Sequence, residues 1–396
     1  MKKISSFFIL LILSASCIAI KAQQQKVNAV FETLIFPMQP KHAHASSIVS
    51  LPGGDILAVW YQGSGEREAD DVKIMGARLK KGSKTWTDPF LMADTPDIPD
   101  CNPVIFLNNK NKLFLVWIAV QAHRWECSLL RVKTSTHYNG NNAPVWDWQD
   151  NILLTPDNRF AEETASKFKE LSTNKNDSIN FAPRYGSKVV EASADPSKRC
   201  TGWMTRIKPL CFKNGKILLP LYSDGFSMSM VAISNNDGET WHASLPIVGR
   251  GNVQPALVQT KDGHITAYMR DNGEEPNYVQ VSQSADSGFS WTVATKIGIP
   301  NTASVELLAL SDGRWAFVGD DESDGRYRIS LYLSDDEGKT WKWKRSLEDM
   351  DKGKGSFSYP CVIQTSDGLM HISYSYSLEK KGESIKYVVI DPDSIR

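Results

Sequence analysis

Short apolar stretches recur in pairs along the chain, and a polar turn separates the two members of each pair. Most of these turns carry glycine near an aspartate or asparagine, which is typical of a tight turn between antiparallel strands. An apolar run, such a turn and a second apolar run together predict a β-hairpin. The pattern occurs six times, in residues 46–60, 102–117, 207–222, 254–269, 304–319 and 359–374.

A second pattern follows three of these hairpins. It reads Ser, any residue, Asp or Asn, any residue, Gly, any residue, Thr or Ser, Trp, and it occupies residues 234–241, 284–291 and 334–341. The copies are 50 residues apart and each follows a third apolar run, which predicts a repeat architecture. The acidic or amide side chain accepts hydrogen bonds from turn amides, and Gly takes a positive φ. We expect each Trp to pack between neighbouring sheets.

Four strands in each of six units predict an all-β fold, a six-bladed β-propeller. Propellers close by combining both ends of the chain in one blade, so we expect residues 31–36 to pair with residues 385–390. The hairpin pattern is interrupted at residues 156–200, where residues 161–171 have helical spacing and good helix formers. This segment predicts a helical insertion between blades two and three, either a spacer or a lid over the centre of the ring.

Composition and the first residues narrow the class of protein. The chain has 396 residues with 45 basic and 45 acidic side chains and no polybasic run, which argues against a nucleic-acid partner. Residues 1–22 combine a basic start, an apolar stretch and small residues, so they predict a signal peptide with cleavage near Ala22. Lipoprotein anchoring through Cys17 is the alternative. We therefore expect a secreted or periplasmic monomer, a propeller over residues 27–396, without a transmembrane segment.

The remaining cysteines do not indicate a metal site. Five cysteines follow the predicted cleavage point, an odd number whose spacings match no zinc pattern. One or two disulfides are compatible with this number, although most of these cysteines are expected to be small buried side chains. We expect neither a metal nor a cofactor.

The inner strands of a propeller converge on its axis, so polar residues at their ends are the candidates for a functional site. Each unit offers such residues near the ends of its hairpin. Those selected are His44, Arg67 within the acidic stretch 65–71, Arg206, Tyr222, Gln254, Arg270, Asp271, Arg326 and Tyr359. Each could also have a purely structural role, as a buried core group or a solvated loop residue.

The six hairpins and the eight-residue motif resemble the bacterial sialidase superfamily, whose repeats are called Asp-box or BNR repeats. The stretches "GWMTRIKPL" and "GKILLPLYSDGF" resemble a sub-group usually labelled predicted neuraminidases. The resemblance covers essentially the whole chain after the predicted signal peptide. It implies a sialidase-like propeller in which three arginines bind the substrate carboxylate, a Tyr activated by a Glu is the nucleophile, and an Asp is the acid and base. Arginine suits the first role because its guanidinium pairs with a carboxylate through two hydrogen bonds.

The resemblance assigns roles to residues of this chain. It implies Tyr359 as the nucleophile and Arg270 and Arg326 as two of the three arginines, with Arg328 as a rival to Arg326. It implies Asp70 or Asp71 as the acid and base, with Glu66 and Glu68 as rivals.

Two positions depart from the family pattern. His44 stands where the first arginine is expected, and Gln254 stands where the Glu is expected. An amide cannot remove the proton of Tyr359, whose ordinary pKa is about 10. His44 is a candidate replacement acid or base, because an unperturbed imidazole titrates near neutral pH.

The favoured hypothesis is an exported, exo-acting glycoside hydrolase of the exo-alpha-sialidase type. It would act on a terminal acidic sugar of a glycan, with a specificity different from that of true sialidases. One alternative is a uronate-directed polysaccharide lyase in which His44 and Tyr359 exchange protons. The other is a carbohydrate-binding propeller without catalysis.

Overall fold

The computed structural model describes residues 25–173 and 183–395. The predicted signal peptide lies outside the described residues. The chain forms six antiparallel sheets of four strands, one of them with an additional short strand. Each blade packs against the next through its inner strands, and the sixth blade packs against the first, so the ring is closed. The predicted six-bladed β-propeller is therefore confirmed.

The first three blades follow the chain in order. Blade one contains β2 (His42–Ser50), β3 (Ile56–Gly63), β4 (Lys73–Leu79) and β5 (Phe90–Ala93). Blade two contains β6 (Asp100–Leu107), β7 (Leu113–Val120), β8 (Ser128–Ser135) and β9 (Trp148–Asn151). Blade three contains β10 (Met204–Thr205), β11 (Leu210–Cys211), β12 (Ile217–Ser223), β13 (Met228–Ser234) and β14 (His242–Ala243). Its innermost strand is divided into β10 and β11, which both pair with β12.

The last three blades complete the ring. Blade four contains β15 (Asn252–Gln259), β16 (Ile265–Asp271), β17 (Tyr278–Ser284) and β18 (Thr295–Pro300). Blade five contains β19 (Glu306–Ala309), β20 (Trp315–Asp320), β21 (Arg328–Ser334) and β22 (Trp343–Asp349). Blade six contains β23 (Gly355–Gln364), β24 (Met370–Leu378), β25 (Gly382–Ile390) and β1 (Phe31–Leu34). The strand β1 pairs antiparallel with β25, with Phe31 opposite Val389, as expected from the sequence.

The eight-residue motif forms a tight turn between the third and fourth strands of blades three, four and five. In the third copy, Asp336 Oδ1 accepts a hydrogen bond from the Thr340 amide at 2.9 Å, and Asp336 Oδ2 accepts one from Thr340 Oγ1 at 2.6 Å. These bonds lower the pKa of Asp336 to about 2. The Trp341 ring lies between Tyr268 of blade four and Phe317 of blade five, at 6.0 and 5.6 Å. The motif therefore joins neighbouring blades through their aromatic cores.

The interruption of the repeat is helical, as predicted. It contains α1 (Asn158–Thr173), α2 (Pro183–Ala194) and α3 (Pro196–Arg199). Phe160 on α1 packs edge-on against Trp203 and Phe226 of the propeller, at 5.8 and 5.9 Å. Buried Arg199 donates to the Pro156 and Ser193 carbonyls, which ties α3 to the segments before α1 and on α2. The insertion is thus packed onto the rim of the ring.

Four inner strands carry a bulge at their axial end. The register of pairing shifts after His44, Cys101, Val253 and Ser358, each in the first strand of its blade. The bulges contain four residues with positive φ, which are Ala45 (56°), Asn102 (49°), Gln254 (56°) and Tyr359 (56°). A bulge breaks the alternation of a strand and redirects a side chain. These turns therefore set which side chains face the centre of the ring.

No helix in residues 25–173 or 183–395 is long and apolar enough to cross a membrane. The five cysteines in this part of the chain are free, with Cys101 and Cys361 buried.

Candidate active site

A polar cavity of about 250 Å³ lies where the inner strands converge. Every blade contributes at least one side chain to its wall. The lining residues are His44, Glu66, Asn102, Trp125, Tyr222, Asp224, Gln254, Arg270, Asn272, Arg326 and Tyr359. The volume falls below the range of about 300–1,000 Å³ common for ligand pockets, so it suits one sugar unit rather than a chain. We call it the axial cavity.

Tyr359 is central to the axial cavity. Its phenol oxygen accepts hydrogen bonds from Gln254 Nε2 at 3.1 Å and from Arg270 Nη1 at 3.2 Å. The guanidinium carbons of Arg206 and Arg326 lie 4.9 and 5.4 Å from the centre of its ring. The cations contact the ring face, where cation–π attraction is favourable. Tyr359 is therefore held by three arginines and one amide.

Two of these arginines present donors to the axial cavity. Arg326 lines the cavity and lies over the Tyr359 ring, and Arg270 Nε is buried without a hydrogen-bond acceptor among the described residues. The remaining Arg270 contact, from Nη2 to Asn272 Oδ1, is long at 3.4 Å. Gln254 Oε1 is also buried without a donor within the described chain. Buried donors without partners are costly, so these groups are suited to an anionic ligand with hydroxyl groups.

Arg206 has a different position from the other two arginines. It is 1 % exposed and does not line the axial cavity, but lies beneath the ring of Tyr359. It donates to the backbone carbonyls of Ser46 at 3.3 Å and Pro360 at 3.1 Å. Sequence reasoning assigned Arg206 to substrate binding. The structure instead places it as a support that joins blades one, three and six below Tyr359.

His44 packs against Tyr359, with 4.2 Å between ring centres. Burial, the neighbouring His42 and the three arginines 326, 206 and 270 hold the pKa of His44 well below its ordinary value. The imidazole is therefore neutral at neutral pH. This differs from the expectation of a group that titrates near pH 7, because each nearby cation disfavours a further positive charge. A neutral His44 has one ring N–H and one acceptor nitrogen, so it can donate one hydrogen bond and accept one.

Two carboxylates lie on the wall of the axial cavity. Glu66 accepts a short hydrogen bond from Tyr61, and Asp224 follows β12 at the rim. Asp224 is an exposed residue, but partial removal of its carboxyl from water raises its pKa, and the nearby Arg270 and Arg67 oppose this rise. The negative charge of Glu66 adds to the rise. A carboxyl with a raised pKa is a candidate general acid.

The two predicted acid–base residues do not reach the axial cavity. Asp70 is exposed and pairs with His123, with 2.7 Å between Oδ1 and Nε2. Asp71 accepts hydrogen bonds from Ser64, which together with Lys41 lower its pKa to about 2. Both carboxylates stabilise the loop after β3, whereas Glu66 in the same loop points inward. Of the carboxylates that the resemblance offers for the acid and base role, Glu66 lines the axial cavity, whereas Asp70 and Asp71 do not.

Two other sequence candidates, Asp271 and Arg67, also lie outside the axial cavity. Asp271 is 2 % exposed and forms an ion pair with Lys296 at 2.7 Å, so it anchors blade four. Arg67 pairs with Glu68 at 3.2 Å and lies over the Trp125 ring at 5.3 Å, outside the cavity wall. Their predicted contact with substrate is therefore not supported by their positions.

The rival Arg328 is held by two carboxylates, Glu322 at 2.7 Å and Asp349 at 2.9 Å. This pairing leaves Arg326, not Arg328, as the arginine of blade five that faces the axial cavity.

Sequence reasoning missed Asn102 and Asn272. Asn102 Nδ2 donates to Tyr222 Oη at 3.0 Å, and this pair forms one side of the cavity. Asn102 precedes a proline at the start of its hairpin, as Gln254 and Tyr359 do in theirs. This shared Xaa-Pro position was a signal that could have identified it. Asn272 follows Arg270 by two residues on the loop after β16, and no repeat pattern marks it.

In residues 25–173 and 183–395, no group of three or more His, Cys, Asp and Glu side chains is placed to hold a metal ion.

The family model for the BNR repeat-like domain matches residues 54–161 and 192–372. The chain belongs to this family. It is also similar to two curated proteins, an anhydrosialidase from Macrobdella decora, 24 % identical over 181 residues, and a sialidase from Paraclostridium sordellii, 28 % identical over 150 residues. These matches cover 40 % and 33 % of the BNR repeat-like chain, but only 23 % and 36 % of the relatives. The predicted membership of the sialidase superfamily is confirmed.

The fold of this BNR repeat-like protein is that of known sialidases. The NanB sialidase from Streptococcus pneumoniae superposes with a TM-score of 0.63 at 12 % identity, over 92 % of this chain and 71 % of that protein. At this identity the match shows a shared propeller and leaves the chemistry to the residues of the axial cavity.

Proposed function

We propose that this protein is an exo-acting glycoside hydrolase that releases a terminal acidic sugar from a glycan. The observation that carries the proposal is the pair Arg270 and Arg326 on the wall of a cavity of about 250 Å³, where Arg270 Nε is buried without an acceptor among the described residues. Guanidinium groups bind carboxylates and sulfates by charge-assisted hydrogen bonds. The predicted signal peptide would place the activity outside the cytoplasm.

The proposed chemistry uses the carboxylates on the cavity wall. Hydrolysis of a glycosidic bond ordinarily needs one carboxyl to protonate the leaving oxygen and a second carboxylate to activate water or attack carbon. The pKa of Asp224 is raised, as a general acid requires, and Glu66 supplies the second carboxyl group on the same wall. Tyr359 then contacts the sugar without acting as the nucleophile, because Gln254 is not a base.

The specificity is expected to differ from that of true sialidases. The family's first arginine is replaced by neutral His44, so the acidic group meets two arginines rather than three at the cavity surface. A uronate or a sulfated sugar has fewer contacts to satisfy than N-acetylneuraminic acid. We propose that one of these sugars is the preferred terminal unit.

The experiment is a product assay on glycans that end in N-acetylneuraminic acid, a uronate or a sulfated sugar. Arg326→Ala should lower kcat/KM on the acidic substrate by about 10- to 100-fold, the value of a lost hydrogen bond to a charged group. The same glycan with its terminal carboxylate reduced to an alcohol should be much less affected. Arg159→Ala is the matched control, because Arg159 is an exposed arginine paired with Asp157. Equal losses on acidic and reduced substrates would refute the anion clamp.

The contact between His44 and Tyr359 favours a second candidate, a uronate lyase. In this reaction neutral His44 takes the proton on the carbon next to the carboxylate, and the arginines stabilise the resulting charge. The carbon–oxygen bond one carbon away then breaks, a carbon–carbon double bond forms, and Tyr359 protonates the leaving oxygen. Ultraviolet absorbance of an unsaturated product distinguishes this from hydrolysis. Loss of that absorbance in Tyr359→Phe, with hydrolysis unchanged, would assign the lyase role to Tyr359.

A further inference from the structure

A second and larger cavity lies beside the axial cavity, between the helical insertion and blades two and three. Its volume is about 530 Å³, within the usual range for ligand sites. Val189 and Ala192 of α2 form one side, and Ser223, Gly225 and Phe226 after β12 form the other. We call it the insertion cavity.

The wall between the two cavities is thin. Trp125 lines the axial cavity and the next residue, Glu126, lines the insertion cavity. In the same way Asp224 faces the axial cavity while Ser223 and Gly225 face the insertion cavity. A Cβ added to Gly225 would lie 3.3 Å from the Cβ of Glu126, so these two turns touch. A ligand that extends past Trp125 and Asp224 therefore enters the insertion cavity.

The wall between the two cavities also packs against the end of the helical insertion. Gly202, which follows α3, has a φ of +75°, and a Cβ added there would lie 2.5 Å from the Glu126 carbonyl oxygen. Only glycine fits so close an approach at positive φ. The Glu126 carboxylate accepts a hydrogen bond from Arg124 Nε at 2.7 Å, which offsets its charge.

The chemistry of the insertion cavity suits sugar rings. Apolar surface from Val189, Ala192 and Phe226 lies beside the hydroxyl groups of Ser197 and Thr201. Sugars present both an apolar face of C–H groups and a rim of hydroxyl groups, so such a mixed wall can contact both. Two ammonium groups, those of Lys188 and Lys198, line the same cavity and are open to solvent. They add hydrogen-bond donors for sugar oxygens.

We propose that the insertion cavity binds the sugars on the leaving-group side of the bond that is cleaved. This inference rests on the proposed function, because it takes the terminal acidic sugar to occupy the axial cavity. The bond to the next sugar then lies at the rim beside Asp224, and the next two or three sugars lie against α2. The natural substrate is accordingly an oligosaccharide or polysaccharide chain. A single sugar on a small leaving group would forfeit these contacts.

The test fills the insertion cavity and leaves the axial cavity untouched. Ala192→Trp places a large ring in it, and Ala194→Trp is the matched control, since Ala194 is an exposed residue of the same helix outside the cavity. The probes are 3′-sialyllactose and a tetrasaccharide ending in glucuronic acid. The terminal monosaccharide of each probe is measured separately as a ligand that occupies the axial cavity alone. Binding is measured by calorimetry and by saturation-transfer NMR of the internal sugars. Lys198→Ala is the second variant, to be used if the Ala192→Trp protein does not fold, because Lys198 is exposed and lines the same cavity.

Ala192→Trp should raise the Kd for the oligosaccharide at least 10-fold, and Lys198→Ala should raise it at least 3-fold. The Kd for the monosaccharide should be unchanged in both variants. Arg270→Ala should weaken both ligands. If Arg270→Ala changes nothing while Ala192→Trp still weakens the oligosaccharide, the proposed acidic-sugar site is wrong and the insertion subsite stands. Equal binding by the Ala192→Trp and Ala194→Trp proteins overturns the inference. Absence of oligosaccharide binding to the wild type overturns it as well.

Discussion

A cavity that binds the carboxylate of a substrate should also stabilise a carboxylate built into its wall. Gln254→Glu makes this test, because Gln254 is 2 % exposed and contacts Tyr359 Oη, which Arg270 also contacts. The two contacts, 3.1 and 3.2 Å long, place the side-chain nitrogens of Gln254 and Arg270 no more than about 6.3 Å apart. With an effective dielectric constant of about 20, opposite charges at this distance attract by about 2.6 kcal/mol.

The sign of the pH dependence follows from two opposing effects on the new carboxyl. Burial raises its pKa by up to about 3–5 units, and attraction to Arg270 of about 2.6 kcal/mol lowers it by about 2. The folded pKa therefore lies above the unfolded value of about 4.3. Stability of the Gln254→Glu protein should be highest below pH 4.3 and should fall as pH rises through the folded pKa. Without Arg270 the fall should be larger by about 2.6 kcal/mol.

Urea unfolding followed by tryptophan fluorescence measures the effect at pH 8. The cycle compares the wild type, Gln254→Glu, Arg270→Gln and the double variant, and the coupling free energy should be about 2.6 kcal/mol. Gln254→Met with Arg270→Gln is the control, since it removes the amide without adding charge, and its coupling should be small. A Gln254→Glu coupling within about 0.5 kcal/mol of zero would refute the assignment of Arg270 to anion binding.

Two further predictions concern the scaffold. Burial raises the pKa of Asp320 from 3.8 to about 6. Ionisation of Asp320 should therefore lower the free energy of unfolding by about 3 kcal/mol as pH rises from 4 to above 6. In urea unfolding at pH 4.5 and 7.5, the Asp320→Asn protein should lack this pH dependence. The same pH dependence of the free energy of unfolding in the wild type and the Asp320→Asn protein would contradict this prediction. Trp291 is 3 % exposed at the end of the second motif, and Trp291→Ala should lower the free energy of unfolding by about 3–5 kcal/mol. Trp148→Ala is the control, because the Trp148 side chain is 49 % exposed, and its free energy of unfolding should stay within about 0.5 kcal/mol of the wild-type value. Similar losses of stability in the Trp291→Ala and Trp148→Ala proteins would show that the motif tryptophans do not join the blades.

The architecture was predictable because a propeller repeats one physical solution. Each blade needs two apolar inner strands and a tight turn, so hairpins and motifs recur at readable spacing. The closure of residues 31–34 onto β25 followed from the same count of strands. One repeat was overlooked in blade one, where Thr85 and Trp86 end a motif that has Lys81 in place of its aspartate. Trp86 packs edge-on against Tyr387 of blade six at 5.1 Å, so the aromatic contact persists without the turn carboxylate.

The candidate site was predictable only where it lies on the repeat. Gln254, Arg270 and Tyr359 occupy fixed positions of their hairpins, and the structure brings their side chains together. Residues in the connecting loops were not predictable, because their direction depends on local turns and pairing. Asp70 and Asp71 are examples, because their carboxylates bind His123 and Ser64 and do not line the axial cavity. The role of Arg206 was missed because burial cannot be deduced from the position of a charged residue in a pattern.

The distribution of charge in the axial cavity gives the proposed substrate a direction. Positive charge from Arg270 and Arg326 surrounds Tyr359, and Arg206 adds to it from below. The carboxyl groups of Glu66 and Asp224 lie on the wall that continues toward the insertion cavity. An acidic sugar can satisfy both only with its anionic group against the arginines and its glycosidic oxygen toward Asp224. The reverse orientation would place the anionic group of the sugar beside these carboxyl groups and leave the arginines without an anion. The leaving group then has one direction to extend, past Trp125 and toward α2, which is where the propeller departs from its repeat.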